Sequence, residues 1–186
     1  MKVIVSGLTA SGKSSVSKDI ASNLGIDYFS ASSKLKEILP KKDFEVWESK
    51  KEIDAVKFRL KYPQYDKKLD SFISSLFKKR SNLVMDSWVA AWKIKDKNTI
   101  KIYIKADEKT RALRVGVRDR LSVKQALAFM REKDRLTQQI YKNIYGIEID
   151  IDFTPFDLVI DSSNLDLKDT IKLCLDFIHK QKKVKF

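Results

Sequence analysis

Residues 7–14 read Gly-Leu-Thr-Ala-Ser-Gly-Lys-Ser, directly after the apolar run Val3-Ile4-Val5. This motif works only where a strand delivers a glycine-framed loop to the start of a helix, so it dictates a strand–loop–helix beginning. Gly7 and Gly12 permit backbone angles that a Cβ opposes, which lets successive N–H groups turn inward around phosphate oxygens. Lys13 supplies a point charge for β- and γ-phosphates, and the Ser14 hydroxyl is placed to ligate Mg²⁺. The helix that follows adds the partial positive charge of its N-terminus. The chain therefore reads as one that binds a nucleoside triphosphate.

The 186 residues fit one domain of ordinary size, and a single domain over residues 1–186 is expected. No stretch approaches the ~20 apolar residues of a membrane span. The first strand begins almost at Met1, which argues against a cleaved leader, and Cys174 is alone, so neither a disulfide nor a cysteine metal cluster is expected. A cytoplasmic protein without membrane partners, most simply a monomer, is the expectation. The net charge of +13 asks for anionic partners. Nucleotides satisfy it; because the lysines are scattered, a solvated surface is preferred to a nucleic-acid face.

Apolar and polar periods alternate along the chain. Strands are expected at Lys2–Ser6, Tyr28–Ser30, Asn82–Asp86, Thr99–Ala106 (half-exposed, from its Ile/Lys alternation) and Leu158–Asp161. Helices are expected at Lys13–Leu24, Ser33–Leu39, irregularly at Asp43–Phe58, then at Asp66–Arg80, Glu108–Arg118, from Ser122 toward Tyr145, and at Asp166–Lys180. Gly25 and Gly146 stop two of them, and Ser122 with Gln125 makes a capping box. Residues 180–186 read as a loose basic tail. Such alternation implies a parallel sheet with right-handed crossovers and a site at the strands' C-terminal ends. Cys174 lies on the apolar stripe of the last helix and reads as core.

Arginines cluster at positions 111, 114, 118, 120, 131 and 135, around a break at Asp119–Leu121. Arg114 and Arg118 share a helix face, as do Arg131 and Arg135. Two such faces meeting at a turn would form the cationic clamp that phosphoryl transfer needs. The competing arrangement is solvated arginines paired with Asp119, Glu132 and Asp134.

These stretches, together with Phe29-Ser30-Ala31, Asn82–Trp92, Tyr145-Gly146-Ile147-Glu148-Ile149 and Phe156-Asp157-Leu158-Val159-Ile160-Asp161, resemble the archaeal-type cytidylate kinases over nearly the whole chain. That group belongs to the nucleoside monophosphate kinases. The resemblance implies an α/β fold of the P-loop NTPase type, a five-stranded parallel sheet flanked by helices. It further implies a helical lid at about residues 114–135 and a monophosphate-binding segment at about residues 31–80. The implied reaction moves the γ-phosphoryl group of ATP, with Mg²⁺, to CMP or dCMP.

Carried over by position, Gly7, Leu8, Thr9, Ala10, Ser11, Gly12, Lys13, Ser14 and Ser15 form the ATP loop. Lys13, Arg118, Arg131 and Arg135 are the expected catalytic cations. Asp86, at the end of the central strand, could hold a Mg²⁺-bound water beside Ser14, or could merely cap the next helix. The family's Gly-Arg after that acid is Ser87-Trp88 here, its Gly-Asp after the second strand is Ser32-Ser33, and its next arginine is Lys36. The acceptor side is thus altered while the ATP side is intact, and Ser33, Lys36, Arg59, Trp88 and Arg114 are the acceptor-binding candidates. Trp88 and Trp92, four apart, could wall the site from one face or lie in the core. The altered acceptor side leaves two other readings open: an ATP-binding protein associated with nucleic acid, or a kinase of another small metabolite.

Overall fold

The computed structural model describes residues 1–40 and 49–184. Five strands, β1 (Lys2–Ser6), β2 (Tyr28–Ser30), β3 (Leu83–Asp86), β4 (Thr99–Lys105) and β5 (Leu158–Asp161), form one sheet in the order β2-β3-β1-β4-β5. All four pairings are parallel, as the strand–helix alternation requires. The described helices are α1 (Lys13–Leu24), α2 (Ala31–Ile38), α3 (Ser49–Lys61), α4 (Gln64–Lys79), α5 (Ala90–Lys93), α6 (Glu108–Asp119), α7 (Val123–Tyr145) and α8 (Leu167–Val184).

Because strand side chains alternate, each strand feeds both faces of the sheet. Val3 and Val5 pack with Val16 and Ile20 of α1 and with Cys174 and Ile178 of α8. Burial pushes the Cys174 thiol up to about 12, which makes it an inert core group. Ile4, Met85 and Tyr103 point the other way, into a larger core with Leu35, Ile73, Phe77, Trp92 and Ile140. A smaller cluster of Ala112, Val115, Ala126 and Phe129 holds α6 against α7.

The expectation of a half-exposed β4 is corrected. Lys101 is 9 % exposed and Tyr103 is fully buried. β4 lies between β1 and β5, and Phe153 and Phe156 pack edge-on against the Tyr103 ring. Lys101 reaches the Ile94 carbonyl, 2.5 Å away, so its stem runs through the core while its ammonium finds a backbone acceptor.

Several boundaries shift for local reasons. α2 starts at Ala31 rather than Ser33, because the Ser30 hydroxyl caps it by accepting from the Ser33 N–H. α4 starts at Gln64, directly after Pro63. Of the helix expected over Asp43–Phe58, residues 43–48 lie outside the described residues, and the remainder belongs to α3, which runs on to Lys61. α8 continues through Val184, so most of the expected basic tail is helical. The expected glycine stops are present, Gly25 at φ 62° and Gly146 at φ 66°. So is the capping box of Ser122 and Gln125. The α6–α7 break turns on Arg120, a non-glycine residue at φ 56°.

Candidate active site

The loop after β1 owes its shape to three backbone positions. Gly7 adopts φ 156°, and a Cβ there would overlap the Ile104 carbonyl oxygen and Ser11 Oγ. Gly12, at φ 101°, turns the chain into α1 and stands at its N-cap. Ala10 sits at φ 59°, a left-handed conformation that costs a residue with a Cβ about 1–2 kcal/mol. That strain is held by contacts from far along the chain. The Thr9 N–H donates to Asp134 Oδ1 at 3.1 Å, while Arg111 Nη1 donates to the Thr9 carbonyl at 3.1 Å. Arg111 Nη1 also binds Asp134 Oδ2 at 2.5 Å, and its Nε donates to the Ala106 carbonyl. Both groups of the pair are less than a tenth exposed. Arg114, one turn on, donates to the Ser11 carbonyl at 3.0 Å and to the Ser162 carbonyl at 3.0 Å.

Within this frame Lys13 donates to the Leu8 carbonyl at 3.3 Å and is 9 % exposed. Burial pulls its pKa down, and Asp86 pulls it back up. No acidic residue occupies the first turn of α1, so nothing on that turn competes with an incoming anion for the helix N-terminus. Asp86 is 1 % exposed and accepts from the Tyr28 hydroxyl at 2.8 Å. Register places it beside Val5, the strand that delivers the loop. The alternative role foreseen for Asp86, capping the next helix, is not seen: Val89 stands at the N-cap of α5 without a side-chain cap, and the Ala90 N–H is taken by Ser87 Oγ at 3.2 Å.

A cavity of about 710 Å³ opens over the loop. One end is walled by Ser162, Leu165 and Thr170, the other by Ser32, Leu35, Lys36, Arg59 and Leu69, and the residues from Thr9 to Ser15 line the space between. The roof is α3 packed on α7: Glu52, Ala55, Val56 and Arg59 from one, Lys133, Thr137 and Tyr141 from the other. The size suits a small-molecule ligand site.

The expected site residues divide clearly. Thr9 to Ser15, Lys36, Arg59, Trp88, Arg114 and Arg118 line the cavity, while Gly7 and Leu8 form the buried base of the loop. Other expected residues are placed differently from that group. Arg131 and Arg135 do not line the cavity: each is 60 % exposed, and they pair with Glu108 and Glu132. α7 turns about 100° per residue, so the stripe of Lys133, Thr137 and Tyr141 that faces the cavity points those arginines away. Ser33 spends its N–H on the α2 cap and its neighbour Ser32 lines the cavity instead. Arg114 grips the back of the loop next to Ser162, on the side away from Lys36 and Arg59. The two tryptophans part company, since α5 begins only at Ala90: Trp88 faces the cavity, whereas Trp92 is 6 % exposed and stacks edge-on against Phe156.

The ion pairs weighed against the clamp are all present, Arg118 with Asp119, Arg135 with Glu132, and Arg111 with Asp134. Only the last is buried and structural. Arg59 is likewise buried, held bidentately by Asp66 and touching the Tyr141 hydroxyl. Trp88 offers its ring face to Lys13 Nζ, 5.4 Å from the centroid.

Residues 3–164 match the family model described as the cytidylate kinase-like family. The chain belongs to the cytidylate kinase-like family. It is 34% identical to a cytidylate kinase of Pyrobaculum islandicum over 176 residues, covering 95% of this chain and 91% of that protein. A cytidylate kinase of Saccharolobus islandicus is 33% identical over 184 residues, covering 96% and 90%. Among solved structures, a shikimate kinase from Bacteroides thetaiotaomicron superposes with a TM-score of 0.60 at 7% identity, covering 98% of each chain. A deoxyadenosine kinase from M. mycoides with bound dATP gives 0.59 at 20%, covering 96% of this chain and all of that one. These two likenesses show the fold, that of phosphate-loop kinases.

For a member of this family, the placement of the arginines yields a sharp expectation. Arg118 is half exposed and paired with Asp119, but unlike Arg131 and Arg135 it lines the cavity. Arg118→Ala should therefore lower kcat by about 10²-fold, the usual effect of removing one charge from a transferring group. Arg131→Ala and Arg135→Ala should stay within about twofold of wild type, as exposed ion pairs are worth little. Steady-state kinetics on the three variants checks this; losses at Arg131 or Arg135 equal to that at Arg118 would contradict it.

Sequence reasoning missed Lys133, and it weighed Asp134 as an arginine's partner without seeing that the Arg111–Asp134 pair is buried and braces the loop. The i, i+4, i+8 spacing of Lys133, Thr137 and Tyr141 was visible, but nothing in the sequence chose that stripe over the arginine stripe.

Proposed function

We propose that the protein transfers the γ-phosphoryl group of Mg·ATP to CMP or dCMP. The observation that carries this is one continuous cavity, in a chain of this family, joining the phosphate loop to a second compartment at Ser32, Lys36 and Arg59. The donor nucleoside lies toward Ser162 and Leu165, with its phosphates against Lys13 and Arg118, and the acceptor lies at the opposite end.

Mg²⁺ fits the residues present in a limited way. Among the described residues no group of three acidic, histidine or cysteine side chains could hold an ion by itself. Ser14 at the helix start and the buried Asp86 carboxylate would therefore hold it jointly with nucleotide phosphates, the usual arrangement for this cation. When bound, it supplies charge to the β- and γ-oxygens.

No side-chain base is needed. An acceptor phosphate oxygen forms the new bond to phosphorus as the bond to the bridging oxygen breaks and ADP departs. Lys13 and Arg118 stabilise the charge on the migrating group, and closure of the α3–α7 roof excludes the water that would otherwise accept it. Lys36 is the acceptor-phosphate cation where the family's arginine is expected. Trp88, in place of the second expected arginine, closes the floor between the two phosphates by covering Lys13. Acting on free nucleotides, the protein works in the cytoplasm.

Coupled ADP release with CMP, dCMP, UMP, AMP, GMP and no acceptor tests the reading. The highest kcat/KM should belong to CMP or dCMP, and a preference for another monophosphate, or equal release without acceptor, would overturn it. Lys36→Ala should raise KM for CMP about tenfold, as expected for a lost charged hydrogen bond, with KM for ATP unchanged.

A further inference from the structure

Lys133 projects from the middle of α7 into the cavity over the phosphate loop, and it is not alone there. Its Nζ lies 2.6 Å from Glu52 Oε2 of α3, with the two side chains 19 % and 16 % exposed. Both residues line the same cavity as Lys13 and Arg118. As charges lining one cavity would, Lys133 helps to depress the Lys13 pKa and Glu52 helps to raise that of Arg118. So a carboxylate stands among three cations, in the compartment where a polyphosphate would be attracted.

We propose that Lys133 is a phosphate-binding residue of the phosphoryl-transfer site and that Glu52 is its resting partner, a carboxylate that phosphate must displace. The inference rests on the kinase reading and deepens it. A carboxylate left on Lys133 would repel the nucleotide's phosphates, so their binding and the Glu52–Lys133 pair exclude one another. Glu52 belongs to α3, the acceptor-side roof, and Lys133 to α7. Displacing the pair therefore changes the contact between α3 and α7 at that point, which links occupation of the phosphate loop to rearrangement over the acceptor compartment. Arg131 and Arg135, with their own exposed partners outside the cavity, cannot take this part.

A mere brace between two helices is the alternative, and it makes opposite predictions. Binding of a non-hydrolysable ATP analogue with Mg²⁺ is measured calorimetrically for wild type, Glu52→Gln, Lys133→Ala and Lys133→Arg, with thermal melts to verify folding, and kcat with CMP is measured in parallel. Glu52→Gln removes the competing charge and should tighten the analogue about five- to tenfold, since a pair that occupies the competent state's cation lowers apparent affinity by the fraction it holds. Lys133→Ala should weaken binding and lower kcat by about 10²-fold, with Lys133→Arg restoring most of both. Folded Glu52→Gln that binds no more tightly than wild type, or folded Lys133→Ala with wild-type affinity and kcat, would overturn the proposal. The binding arm needs no acceptor. Absence of CMP turnover in wild type would therefore refute the kinase reading, while the affinity differences would still decide the role of the pair.

Discussion

Lys13→Ala is expected to abolish measurable phosphoryl transfer, with kcat down by about 10³-fold or more and Mg·ATP affinity lost along with it. The expectation rests on where Lys13 sits. Its stem is buried, its ammonium is held at the Leu8 carbonyl, and the Trp88 ring covers it. The burial that depresses its pKa also leaves its field poorly screened, so the charge acts strongly on a nearby phosphate. Stability should change little, because the ammonium makes one long hydrogen bond and the desolvation it suffers is removed with it. Equilibrium binding and circular dichroism together check this. A folded Lys13→Ala protein with normal ATP affinity would remove the phosphate-loop assignment.

Asp134→Ala is expected to have the largest effect on stability, about 3–5 kcal/mol, the usual cost of leaving one partner of a buried pair uncompensated. Arg111 would remain less than a tenth exposed without its counter-ion, and the Thr9 N–H would lose its acceptor. Because the same carboxylate fixes the peptide beside the strained Ala10, the loop should loosen as well. ATP affinity should therefore fall in whatever fraction stays folded. Urea unfolding read against wild type measures the first effect. A change under about 1 kcal/mol would mean that the pair contributes little once its desolvation is counted.

Legibility in the sequence followed contact range. The phosphate loop, its flanking strand and helix, the capping box at Ser122 and the glycine stops at Gly25 and Gly146 depend on neighbours a few residues away, and all were readable. Asp86 was recognisable as an acid at a strand end, but that its carboxylate binds the Tyr28 hydroxyl and leaves α5 uncapped needed the backbone. The brace on Thr9 joins residues 125 apart in sequence, so no local pattern announced Asp134 as anything but one acid among several. The arginine stripe at Arg131 and Arg135 drew attention through its charge. The packing of α3 on α7 turned that stripe outward and brought Lys133, Thr137 and Tyr141 in. β4 looked half-exposed because Lys101 and Lys105 alternate with isoleucines, yet a lysine that reaches a carbonyl can occupy a covered face. On the acceptor side, Ser87-Trp88 showed that an expected arginine was missing; the structure adds that the indole meets Lys13 across the cavity floor.

The most direct measurement follows the phosphorus atom itself. Incubating the protein with Mg²⁺, γ-labelled ATP and CMP, and separating the products, should place the label in CDP in step with ADP formation, with little inorganic phosphate, since the proposed closure of the α3–α7 roof excludes water. Label recovered only as inorganic phosphate, or ATP left intact in the presence of CMP and dCMP, would contradict the account.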